Sequence, residues 1–152
     1  MRTFIFILLL FLSYQAHSQT IEYKYICGTE KKIIIWTEYK KDDRIYLKTV
    51  QGDETHSYVM DLNYHTLLWE YSNTSGNTAV KVVLKNGVYK VEGLFKSKSY
   101  SKTYTSKGYP WYQHIGFNVG CSMKGKSNIK FECIRPDNLK LYRSEERRVG
   151  KE

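Results

Sequence analysis

The stretch from Thr78 to Phe95, TAVKVVLKNGVYKVEGLF, admits few folds. Two runs rich in Val and Leu flank Asn86-Gly87, and both residues of that pair tolerate the positive φ that a type I′ turn demands. A two-residue turn sets Lys85 opposite Val88, Leu84 opposite Tyr89, Val82 opposite Val91 and Lys81 opposite Glu92. One face then gathers Val80, Val82, Leu84, Tyr89 and Val91. The other carries Lys81, Lys85 and Lys90, with Lys81 and Glu92 as the expected cross-strand charge pair.

The same period-two alternation runs through the rest of the chain. Ile21, Tyr23, Tyr25 and Cys27 share one side of a first strand. Between Lys32 and Lys40, Ile33, Ile35, Thr37 and Tyr39 face one way and Ile34 and Trp36 the other, the pattern of a central strand. Turns at Asp42-Asp43 and Gly52-Asp53 bracket a strand that buries Ile45 and Leu47. His56, Tyr58, Met60 and Leu62 share the next face. A turn at Asn63-Tyr64 leads to His65, Leu67, Trp69 and Tyr71, and Asn73 to Asn77 is a loop before the hairpin. Farther on, Ile115, Phe117 and Val119 alternate, as do Ile129, Phe131 and Cys133, and Leu139 and Leu141 close the domain. Trp111 to Phe117 is compatible with one helical turn, but no window after the leader holds a clean 3.6 period. The expected fold is all-β: one antiparallel meander of about eight to ten strands, curled into a barrel-like or sandwich domain.

The segment after Phe95 breaks the apolar pattern. Lys96, Lys98, Tyr100, Lys102 and Tyr104 fall on one side of an extended chain, with Ser and Thr on the other. Neither side is apolar enough for a core. The segment reads as an edge strand blunted by lysines, a loop or a binding surface.

Residues 1–18 read as a secretory signal peptide: Arg2 as the basic start, Phe4 to Leu12 as the apolar run, and Ala16-His17-Ser18 as the cleavage signature. The run is shorter than the ~20 residues of a spanning helix, so the mature chain is expected to lack a transmembrane segment and to be secreted or periplasmic. Ser144 to Glu152 has no apolar period. It reads as an adapter-derived tail or a frayed charged terminus, which leaves residues 19–143 as the single domain. The formal charge is +9, from 24 Lys plus Arg against 15 Asp plus Glu, and such an excess favours anionic surfaces. Fourteen Tyr add to the strand bias.

Cys27, Cys121 and Cys133 permit three pairings in an oxidising compartment. Cys121 with Cys133 is the first expectation, across consecutive strands, and reduced core cysteines are the alternative. The cysteine spacings fit no metal knuckle and no His lies at ligand spacing, so no metal or other cofactor is expected. Gly120 to Ser127 matches the phosphate-binding G-x-x-x-x-G-K-S, yet the residues after it alternate as a strand where that loop needs a helix. Nucleotide is therefore not an expected partner.

His56, Asp61, His65 and His114 are the candidates for acid-base work. No nucleophile elbow accompanies them. At Trp69-Glu-Tyr, Gly87 to Gly93 and Pro110-Trp-Tyr-Gln, the sequence resembles uncharacterised exported bacterial β-domains, over about Asp61 to Val119. That resemblance implies a β-rich fold and no activity. The expected function is a monomeric, non-catalytic binding or envelope-associated protein. Trp36, Trp69, Trp111 and Tyr112 are expected to shelter a small apolar or amphipathic ligand, with Lys96, Lys98, Tyr100, Lys102 and Tyr104 at the rim contacting an anionic glycan or lipid. The alternative is a small secreted hydrolase around Asp61 and His65.

Overall fold

The computed structural model describes residues 20–27, 32–114 and 128–147. Among them every regular element is a strand: β1 (Thr20–Cys27), β2 (Lys32–Lys41), β3 (Arg44–Gln51), β4 (Glu54–Met60), β5 (Thr66–Asn73), β6 (Thr78–Lys85), β7 (Val88–Phe95), β8 (Lys98–Thr105), β9 (Asn128–Ile134) and β10 (Leu141–Arg147). Strands β1 to β8 pair in chain order as one antiparallel meander, and β9 and β10 form a second, two-stranded sheet. The large sheet ends at β1 on one side and β8 on the other, so it stays open and does not close into a barrel.

The β6–β7 hairpin has the register its turn dictates: Lys85 pairs with Val88, Leu84 with Tyr89, Val82 with Val91 and Lys81 with Glu92. Asn86 and Gly87 take φ of 51° and 72°. The ion pairs differ from the expected one. Lys81 Nζ lies 3.1 Å from Glu70 on β5, and Glu92 takes Lys90 at 2.8 Å. Both pairs are half exposed, and the long side chains select partners within their reach rather than the residue directly opposite.

Alternation delivers one face of the large sheet to the core. Ile45, Leu47, Tyr58, Met60, Trp69, Tyr71, Val80, Val82, Tyr89 and Val91 are buried there. Trp111, Ile134 at the end of β9 and Leu139 from the link between β9 and β10 pack onto the same cluster. Strand β9 lies between two apolar groups, because Phe131 and Cys133 join Tyr112 in a second cluster while Ile134 belongs to the first. Cys133 is a buried free thiol. Cys121, its expected disulfide partner, lies outside the described residues, as do residues 1–19, Ile115 to Val119 and the Gly120 to Ser127 motif. Directly after that motif the chain enters strand β9, without the helix that phosphate binding requires.

Four local features depart from the alternating pattern. A bulge between Val59 and Met60 pairs Met60 with Thr66 and Val59 with Leu68, which leaves Leu67 as the extra residue. Thr66 therefore faces inward in the position that regular alternation assigns to Leu67. Leu62 is 55% exposed, since β4 ends at Met60 and Leu62 sits in the turn. Trp111 makes a parallel bridge to Glu132 where a helical turn was an option. Strand β10 runs past the expected domain end at Arg143, pairing Ser144 with Phe131 and Arg147 with Asn128. A backbone ladder needs no apolar pattern, so the composition of Ser144 to Arg147 gives no sign of it.

Lys96 is not part of an extended run. Lys96 and Ser97 form the β7–β8 turn with φ of 51° and 65°. Left-handed backbone costs L-residues about 1 kcal/mol each, and two bonds hold the turn: Lys96 N donates to Thr78 Oγ1 at 3.1 Å and Ser97 N to the Asn77 carbonyl at 3.0 Å. Replacing the pair by Lys96→Asn with Ser97→Gly should raise the unfolding free energy by about 1 kcal/mol, read as a higher urea midpoint. Gly93 answers to a harder constraint. Its φ is 139°, and a Cβ there would stand 2.1 Å from the Ala79 carbonyl oxygen on β6. Gly93→Ala is expected to cost about 2 kcal/mol, through strain and a forced separation of β6 from β7.

Candidate functional site

Near the β2–β4 end of the inner face a cleft of about 420 Å³ opens between Ile34, Trp36, Thr49, Gln51, Glu54, His56, Tyr58 and His114. Strand periodicity explains this lining. Ile34 and Trp36 are alternate residues of β2, Thr49 and Gln51 of β3, and Glu54, His56 and Tyr58 of β4, so all seven point the same way. Gln51 faces Glu54 across the two-residue Gly52-Asp53 turn. Trp36, Thr49, His56 and Tyr71 form one cross-strand row.

His114 comes from outside the sheet and is placed by Gln113. The Gln113 side chain substitutes for a strand at the end of β9. Its Oε1 accepts from Ile134 N at 2.9 Å and from Trp111 Nε1 at 2.8 Å, its Nε2 donates to the Ile134 carbonyl, and its own backbone N donates to Thr66 Oγ1. With Gln113 fastened in this way, His114 lies against Trp36 (ring centroids 4.8 Å apart) and Tyr58 (5.5 Å). The stretch Pro110 to Gln113 thus clips the second layer onto the sheet: the Pro110 carbonyl accepts from Glu132 N, and Tyr112 N donates to the Glu132 carbonyl.

His56 is the chemical centre of the cleft. Trp69 Nε1–H donates to its Nδ1 at 3.2 Å, which requires Nδ1 to be unprotonated and places the imidazole proton on Nε2. Nε2 points towards Glu54, whose Oε2 is 4.0 Å away, beyond hydrogen-bond range. Glu54 is held by its other oxygen, Oε1, which accepts from Tyr71 OH at 3.3 Å and Asn73 Nδ2 at 3.1 Å. The His56 ring lies beside the rings of Tyr71 (4.7 Å), Trp69 (6.0 Å) and Tyr58 (6.1 Å). Burial pushes the His56 pKa down, Glu54 opposes that shift and His114 reinforces it. Burial also lowers His114. The Tyr58 phenol is pushed up by burial, against a hydrogen bond from Thr49.

The two lowered imidazoles carry a pH dependence whose sign is fixed. An unfolded chain protonates these histidines near the ordinary 6.5, whereas the folded chain holds them neutral to lower pH. The unfolded state therefore binds more protons below that value. Their stabilising contribution is complete above pH 6.5 and is lost as pH falls through the lowered values. Urea midpoints at pH 7.5 and 5.5 should differ in that direction, and the double variant His56→Gln, His114→Gln should flatten the difference.

The residues expected to bind ligand are not brought to one place. Trp36 lines the cleft. Trp69 is fully buried and reaches the cleft only through its bond to His56, while Trp111 and Tyr112 are 1% and 3% exposed and belong to the core. Trp111 packs edge-on against Tyr89 at 5.2 Å. Their size is used for packing, because the second layer docks through them. Lys98, Tyr100, Lys102 and Tyr104 lie on β8, the free edge of the sheet and six strands from β2, and Lys96 is in the turn before it. They do not rim the cleft. Tyr104 OH donates to the Leu139 carbonyl at 2.7 Å, and Lys102 lies over the Tyr104 ring.

Asp61 and His65 do approach, with Oδ2 and Nδ1 3.0 Å apart. Asp61 Oδ1 also accepts from the backbone N of Asn63 and of His65, so the pair ties down the β4–β5 turn in which Tyr64 takes a φ of 63°. The cleft residues Ile34, Thr49, Gln51 and Glu54 escaped sequence reasoning. The available signal was the two-residue Gly52-Asp53 turn, which places Gln51 beside Glu54 on the face that carries His56. Among the described residues no cluster of three His, Cys, Asp or Glu has metal-holding geometry, and no helix is long and apolar enough to cross a membrane. A second depression of about 400 Å³ lies on the outer face near Ser57, Glu70, Ser72, Ala79 and Lys81, where Lys81 and Glu70 already pair. No family model, curated protein or solved structure matches the chain.

Proposed function

We propose that this chain is an exported, non-catalytic binding protein that takes a small amphipathic ligand in the cleft between Trp36, His56 and His114. The observation that carries the reading is the cleft itself. It combines ring walls from Trp36, Tyr58 and His114 with an Nε2–H donor and a carboxylate oxygen that do not bond each other. Apolar walls with a few convergent polar groups are the usual make-up of a small-molecule site. Export rests on the apolar run at residues 4–12, and the β8 lysines serve to protect the sheet edge from pairing.

A hydrolase at Asp61 and His65 is the competing reading, and the 3.0 Å contact speaks for it. Against it stand the turn amides that occupy Asp61 and the absence, among the described residues, of a Ser or Cys hydrogen-bonded to His65. Ligand-observed NMR with a library of small amphipathic molecules separates the two. Hits should lose their signal when Trp36 is replaced by Ala, and should be unaffected by His65→Ala. Turnover of an ester or glycoside substrate that disappears with His65→Ala would overturn the proposal.

A further inference from the structure

We infer that the ligand of this cleft is the ring of a neutral saccharide, a pyranose, an inference that rests on the binding reading above. The polar groups decide the class. His56 Nε2 can only donate, since Trp69 has already claimed Nδ1 as an acceptor, and Glu54 Oε2 can only accept. They stand 4.0 Å apart, so one atom lying about 2.8 Å from each meets both at hydrogen-bond distance. That atom must accept from the imidazole and donate to the carboxylate at the same time. A hydroxyl does this.

Other classes satisfy the site less well. An apolar molecule filling the cleft would bury the Nε2–H and the carboxylate oxygen without partners, which is costly for both and more so for the charged one. An anion would meet the Glu54 carboxylate and two imidazoles that stay neutral. A quaternary ammonium suits the rings and the carboxylate but offers nothing to accept the imidazole proton. A pyranose supplies hydroxyls on its edge for His56, Glu54, Gln51 and Thr49, and its C–H face suits the ring wall of Trp36. A volume of about 420 Å³ accommodates one such ring.

The test is a titration of the full chain at pH 7.5 with methyl β-D-glucopyranoside, methyl α-D-mannopyranoside, methyl β-D-galactopyranoside and N-acetylglucosamine. Tetramethylammonium and anilinonaphthalene sulfonate serve as comparison probes. Binding is monitored through the Trp36 indole and the His56 and His114 ring resonances. At least one sugar should saturate with a Kd of about 1 mM or tighter. Glu54→Gln, checked for an unchanged unfolding midpoint, should weaken it roughly tenfold, and Trp36→Ala should abolish it. If the sugars leave these resonances unmoved while either comparison probe shifts them, the saccharide inference is overturned and the cleft reading stands. If none of the probes shifts them, both fall.

Discussion

Glu132→Ala should lower the unfolding free energy by about 3 kcal/mol, read as an equivalent fall in the urea midpoint at an unchanged slope. Glu132 is fully buried on β9, where an unpaired carboxylate would not be tolerated. Its Oε2 accepts from Ser106 Oγ at 2.6 Å and Tyr89 OH at 2.9 Å, and its Oε1 from Arg143 Nε at 2.9 Å and Lys107 N at 3.0 Å. Burial alone would raise its pKa, but the hydrogen bonds outweigh it and hold the carboxyl below the usual range. Truncation leaves the Tyr89 hydroxyl and the Lys107 amide without their acceptor. Arg143 is 39% exposed and can turn to water, which places the cost at the lower end for a broken buried pair. Glu132→Gln keeps the shape and part of the bonding and should lose less. The depressed pKa also means that this contribution is present above the ordinary 4.5 and disappears as pH falls through the lowered value.

Trp69→Ala is expected to cost more, about 4 kcal/mol, because it removes the largest fully buried side chain of the sheet and leaves a void that strands on both sides cannot fill. Trp69 stands between Tyr58 on β4 and Val82 on β6, both of them buried. The Phe variant separates packing from hydrogen bonding. Trp69→Phe keeps most of the apolar contact and should cost about 1 to 2 kcal/mol. It also frees His56 Nδ1 from its donor, so the neutral ring should no longer be held as the Nε2–H tautomer alone. A variant that loses stability while the neutral His56 ring stays protonated on Nε2 alone would show that the indole N–H does not set the tautomer.

Residue pattern alone carries most of the large sheet. The Asn86-Gly87 hairpin keeps its expected register pair for pair, and the strands that bury Ile45, Leu47, Tyr58 and Met60 do so on the face that alternation assigns them. Alternation works there because one face is covered and a slip of one residue would expose every apolar side chain. It fails on β9, where Phe131, Glu132, Cys133 and Ile134 are all buried. A strand sandwiched between two clusters has no polar face to reveal, and Glu132 reads as outward-facing until Tyr89, Ser106 and Arg143 are brought to it from distant positions. The site was legible only as scattered candidates for the same reason. His56 and His114 are 58 positions apart in the chain, and what joins them is the Gln113 clasp on Ile134, a side-chain contact that leaves no periodic trace. Trp36 lines the cleft, whereas Trp69 and Trp111 are buried, because a large aromatic residue serves a core as readily as a ligand site.

Long-range nitrogen–proton correlation of the His56 ring between pH 4 and 8 tests the account most directly, since the cleft chemistry depends on one proton. At pH 7.5 the spectrum should show Nδ1 bare and Nε2 protonated, with a titration midpoint below 6.5. A proton on Nδ1 at that pH, or a midpoint at or above 6.5, would contradict it.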